Sequence, residues 1–96
     1  MPNENEIFEK ALDTYGPLTQ IAVTVEELSE LQQALCKFLR DEGDPNVLVL
    51  NIAEEVADVE ITLSQIKRMF CLWGLVDTYR EWKLTRLAER LETETD

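Results

Sequence analysis

The chain carries two similar acidic words, Val25-Glu26-Glu27-Leu28-Ser29-Glu30-Leu31 and Ala53-Glu54-Glu55-Val56-Ala57-Asp58-Val59, each set in apolar helical text. Carboxylates dominate the available chemistry. There is no histidine, and Cys36 and Cys71 stand apart without C-x-x-C spacing, so both read as free thiols. On a helix each residue advances about 100°, so the phase of every carboxylate follows from its number. With Leu28 as zero, Val25, Leu31, Leu35 and Leu39 form a stripe within about 60°, Glu27 lies at about -100° and Glu30 at about -160°. With Val56 as zero, Ile52, Val59, Leu63 and Phe70 form the stripe, and Glu55 and Asp58 take the same two phases. Glu26 and Glu54 point towards water in both words.

Packing the two stripes together therefore brings Glu27, Glu30, Glu55 and Asp58 to a common edge. Partly desolvated carboxylates at a few ångströms repel by roughly several kcal/mol per pair, and a hard divalent cation offsets that repulsion. An all-oxygen donor set selects Mg²⁺ or Mn²⁺ over zinc. Mg²⁺ commonly shares its sphere with a substrate phosphate, which points to a nucleotide or polyphosphate. Asn51 and Thr62, at i−4 and i+7 from Glu55, are placed to hydrogen-bond the ligands from behind. The plainer reading is that these are solvated charges on amphipathic helices, paired along one side as Glu30 is with Lys37; recurrence of the word at matching phase favours the site. Lys83, with Tyr79, Arg86 and Arg90 within about 60°, adds a basic strip able to hold phosphate oxygens. For Arg90, pairing with Glu89 or Glu92 is the better explanation.

Four helices must position these groups. The first is expected over about 4–15, where Ile7, Phe8, Ala11, Leu12 and Tyr15 recur at helical spacing before Gly16-Pro17. The second, about 17–41, starts with Pro17 in its first turn and stops at Asp41-Glu42-Gly43. Asp44-Pro45 is a cap followed by proline, so a third helix spans about 45–72, through the β-branched run Val47-Leu48-Val49-Leu50. After Gly74 a fourth begins near Asp77, covers about 77–92 and dissolves in Glu92-Thr93-Glu94-Thr95-Asp96. The third helix carries a second apolar strip, Leu50, Ala57 and Ile61, about 120° from the first, as in a bundle completed by another chain.

With 96 residues the chain is a single domain whose isolated core is small, which favours self-association. A net charge of -11 argues against binding a nucleic-acid polymer. The start lacks a signal-peptide pattern, and no apolar run approaches the ~20 residues that cross a bilayer, so a cytoplasmic location is expected.

The Glu26-Glu27-x-x-Glu30 word, the Glu55-x-x-Asp58 word about two dozen residues on, and the closing Glu81-Trp82-Lys83-Leu84-x-Arg86-Leu87-Ala88-Glu89-Arg90-Leu91 together resemble the MazG-like nucleoside triphosphate pyrophosphohydrolases, of the all-α NTP pyrophosphatase superfamily. The likeness covers residues 15–91, in the compact single-domain form found in Gram-positive bacteria and their phages. It implies hydrolysis of an NTP or dNTP between its α- and β-phosphates. It implies Glu27, Glu30, Glu55 and Asp58 as Mg²⁺ ligands, Glu26, Glu27 and Glu54 as catalytic carboxylates, with Glu26 and Glu54 positioning water, and Lys83 and Arg86 as phosphate contacts. It further implies an all-α helical bundle intertwined across a homodimer, or a homotetramer as a dimer of dimers. No base-recognising arrangement accompanies the short loop from Asp41 to Asn46. The competing expectation, raised by the net charge, is an acidic helical module that binds a basic protein partner without catalysis.

Overall fold

The computed structural model describes residues 1–94 and consists of four helices, α1 (Glu4–Tyr15), α2 (Pro17–Leu39), α3 (Pro45–Met69) and α4 (Trp73–Glu94). Among the described residues there is no strand, and Val47–Leu50 lie in α3 as expected. None of the helices is long and apolar enough to cross a membrane.

The helix starts follow local chemistry. Asn3 Oδ1 accepts from the Glu6 amide at 2.9 Å, and Asp44 Oδ1 accepts from the Asn46 amide at 2.9 Å ahead of Pro45. These bonds satisfy amides that no preceding turn can reach. Gly16, at φ 83°, joins α1 to α2 in a backbone region that costs side-chain-bearing residues most.

The helix ends differ from expectation. α2 and α3 close in the same way: the Glu42 amide donates to the Lys37 carbonyl at 3.0 Å, the Leu72 amide to the Lys67 carbonyl at 2.8 Å, and the left-handed residue between is Asp41 (φ 55°) or Cys71 (φ 54°). This closure usually employs glycine. Because Cys71 makes it, α3 stops before 72 and α4 starts at Trp73 rather than near Asp77. Gly74 falls inside the first turn of α4, where its missing side chain breaks nothing. The helix continues to Glu94 through the stretch expected to dissolve; Thr95 and Asp96 lie outside the described residues.

α2 and α3 pack as a hairpin, and most contact between elements is theirs. Their seam shares Leu31, Ile52 and Val59 with the apolar stripe expected from the hydrophobic pattern but is rotated away from the rest of it. Buried or half-buried along the seam are Gln20, Thr24, Glu27, Leu31 and Ala34 of α2 and Leu48, Ile52, Glu55, Val59 and Thr62 of α3. Taking Glu27 and Glu55 as zero, each set falls within about 60°. Glu27 and Glu55 thus lie at the middle of the seam, with Glu30 and Asp58 at its border, and the more hydrophobic face is left outside. Val25 is 61% exposed, Leu39 83% and Leu50 69%.

Two numbers show how incomplete one chain is. A folded monomer of 11.1 kDa is expected to expose about 5,700 Å². This chain exposes 7699 Å². Its radius of gyration, 17.0 Å, likewise exceeds the about 12.5 Å of a compact domain of this length. Among the described residues only Phe8, Ala34, Leu48 and Val59 form a buried apolar core, and α4 has no buried residue.

Candidate metal centre

Because both acidic words occupy seam positions, the hairpin brings their carboxylates together. Glu27, Glu30, Glu55 and Asp58 each offer an oxygen, and these four atoms all lie within 4.8 Å of one another. Pairing runs crosswise: Glu27 meets Asp58 and Glu55 meets Glu30 across the seam. The two contacts interchange when the acidic words, 28 residues apart, are exchanged.

The electrostatics are those of an uncompensated site. Burial, followed by the charges of Glu30, Asp58 and Glu55, pushes the Glu27 carboxyl above its ordinary value. Burial, then Glu30 and Asp58, raises Glu55. Glu27 Oε2 and Glu55 Oε2 are shut off from solvent and have no hydrogen-bond partner. Among the described residues no Lys or Arg pairs with any of the four; the ion pairs Arg40–Glu42 and Arg68–Glu9 lie elsewhere. A solvated group of surface acids keeps its oxygens in water, whereas two of these have been withdrawn from it. Such atoms ordinarily have a partner.

The donor set fits a hard divalent ion. Oxygens across an octahedral Mg²⁺ are about 4.2 Å apart, so the 4.8 Å spread requires only a slight drawing together. With four carboxylates and no nitrogen or sulfur ligand, Mg²⁺ or Mn²⁺ suits the site and zinc does not.

The raised values carry a pH dependence whose sign is fixed. A carboxyl with a higher pKa when folded than when unfolded binds more protons in the folded state, so its contribution is fully present below the ordinary value of 4.5 and is lost as pH rises through the raised one. In chelator the melting temperature is expected to be higher at pH 5 than at pH 7.5, and Glu27→Gln to remove much of the difference. An unchanged pH profile in Glu27→Gln would contradict the assignment.

The other expected site residues are distributed as follows. Glu26 and Glu54 are exposed, one turn before Glu30 and Asp58, on the solvent rim of the seam. Asn51 lines a cleft opening beside Glu30 and Glu55. Thr62 is buried at the seam, and its hydroxyl donates to the Val59 carbonyl of its own helix at 3.1 Å. Lys83 and Arg86 share a face of α4 with Leu87 and Arg90. α4 meets the hairpin at the α3–α4 junction, where Lys67 Nζ lies 5.5 Å from the Trp73 ring centroid, so the structure does not pack the basic strip on the carboxylates within one chain. The cleft also holds Gln33 and Lys37, the latter read from the sequence only as a surface partner of Glu30. The signal was present in the spacing: Lys37 follows Glu30 by seven residues and shares its phase.

In comparisons with known proteins, no family model, no curated protein and no solved structure matches this chain.

Proposed function

We propose that this protein is a Mg²⁺-dependent hydrolase that cleaves a nucleoside or deoxynucleoside triphosphate between the α- and β-phosphates, releasing monophosphate and pyrophosphate. The observation that carries the reading is the convergence of four carboxylates from two helices with two solvent-excluded, unpartnered oxygens and no cation beside them. The resemblance in the acidic words and closing helix supplies the reaction class. Mn²⁺ would serve the same donor set.

In this reading Glu27, Glu30, Glu55 and Asp58 hold the ion, which when bound neutralises charge on the phosphoryl group under attack. Glu26 and Glu54, on the open rim, orient the attacking water and accept its proton. The half-buried seam limits competing water around the ligands. Lys83 and Arg86 reach phosphate from α4 only if a second copy brings its own α4 to the hairpin.

The oligomer belongs to the same proposal. Val25, Leu28, Leu35 and Leu39 of α2 and Val49, Val56 and Leu63 of α3 form an apolar face about 100° from the seam. All of them are exposed in one chain. The surface in excess of a compact monomer, about 2,000 Å², falls within what a stable homodimer interface buries. A bundle intertwined across a homodimer, with two dimers pairing through Leu50, Ala57 and Ile61, would cover both faces.

The test is product analysis on a panel of NTPs and dNTPs with Mg²⁺, with Mn²⁺ and with chelator. Metal-dependent monophosphate and pyrophosphate in equal amounts is expected. Release of diphosphate and orthophosphate would refute the cleavage site, and no product from a folded, metal-loaded oligomer would refute the activity.

A further inference from the structure

The carboxylate cluster is nearly two-fold symmetric, yet its surroundings are not. Applying the 28-residue offset to the cleft beside Glu30 and Glu55 tests each position in turn. Lys37 maps to Gln65, Gln33 to Ile61, and Asn51 back to Val23. Every replacement removes charge or polarity. At the far end of the seam the counterparts of Leu48 and Ala34 are Gln20 and Thr62, both buried, with Thr24 also buried. The near end is open, a cleft of about 160 Å³ floored by Ala34 and Leu48.

Those lining residues define what the cleft accepts. Apart from Glu30 and Glu55 at its inner end it contains no acid, and its remaining polar groups are the Lys37 ammonium and the Asn51 and Gln33 amides, the last donating also to Ser29 Oγ at 3.5 Å. Lys37 lies in the last turn of α2, about 10 Å along the axis from Glu30 at 1.5 Å per residue. Allowing for the length of a lysine side chain, that distance suits a chain of two or three linked phosphates with its first phosphate at the cluster. Lys37 forms no ion pair among the described residues.

The geometry points to Lys37, assisted by Asn51 and Gln33, as the group that receives the outer phosphates, so that the substrate runs from the carboxylates towards the C-terminal end of α2. This rests on the proposed hydrolase reading and gives it a direction. It assigns the pyrophosphate side to residues of the same chain as the ligands, ahead of Lys83 and Arg86 on α4.

The experiment compares the full-length wild-type protein with Lys37→Met and Lys37→Arg, following Mn²⁺ binding by electron paramagnetic resonance and Mg²⁺-dependent binding of inorganic pyrophosphate by calorimetry. A charged hydrogen bond to phosphate is worth roughly a ten- to hundredfold change in affinity. Lys37→Met is expected to weaken pyrophosphate by that factor with Mn²⁺ binding unchanged, and Lys37→Arg to recover most of it. Unchanged pyrophosphate affinity in a metal-binding Lys37→Met protein overturns the direction alone. Failure of the wild-type protein to bind Mn²⁺ overturns the metal-site reading and this inference together. Lys37 is exposed on the last helical turn, and the melting temperature of Lys37→Met in chelator verifies that its fold is kept.

Discussion

Glu55→Gln is expected to reduce metal-dependent hydrolysis at least about a thousandfold, a barrier increase of about 4 kcal/mol, while raising the melting temperature of the metal-free protein. The two effects have opposite signs and one cause. Glu55 sits at the centre of the α2–α3 seam, half-buried, facing Glu30, with Oε2 out of reach of solvent and unpartnered. Removing its charge takes away a ligand and also relieves repulsion that only an ion offsets. A structural acid would behave in the reverse manner, losing stability and leaving turnover alone. Steady-state assays with Mg²⁺ and thermal melts in chelator read both quantities on one preparation; full activity in Glu55→Gln would remove Glu55 from the site.

Leu35→Asp is expected to raise the dissociation constant of the homodimer by about three orders of magnitude. Leu35 is 45% exposed in one chain and lies on the apolar face with Leu28, Leu39, Val56 and Leu63. A two-fold interface uses each position twice, so a carboxylate there is desolvated without a partner in both copies, at roughly 2 kcal/mol or more each. Sedimentation at several concentrations measures the shift. Thr19→Asp, exposed and on the opposite side of α2 from that face, is the control expected to leave association unchanged. A Leu35→Asp protein as dimeric as the wild type would place the interface elsewhere.

The chain order of helices was legible because its signals are local. Asp44-Pro45 and Gly16-Pro17 mark starts that any helix would respect, and the doubled acidic word survives at matching phase on α2 and α3. The stop at Cys71 was not legible, because a cysteine in a left-handed position carries no signature; the neighbouring Gly74 took the role in the pattern that Cys71 takes in the fold. The seam was misassigned for a more general reason. Hydrophobic phase identifies the greasiest face, and here Val25, Leu28, Leu35 and Leu39 form it. The intrachain contact instead uses Gln20, Thr24, Glu27, Leu31 and Ala34, a face that a polarity scale scores as wet. Small and polar residues allow α2 and α3 to approach, and Glu27 and Glu55 are drawn in between them at the cost of raised carboxyl values. Lys37 was passed over similarly: with one chain in view it looked like a surface partner for Glu30, and only the cleft between two helices gives it a different neighbour.

A protomer with four buried apolar side chains has too small an interior to hold its helices in place unaided. In the proposed homodimer folding and association form a single equilibrium, and dilution would act on this protein as a denaturant does on others. Newly made chains would remain open to proteases until enough of them had accumulated to meet. The amount of active protein would therefore respond more steeply than linearly to its rate of synthesis, a threshold set by the bareness of α2, α3 and α4 and independent of any regulator.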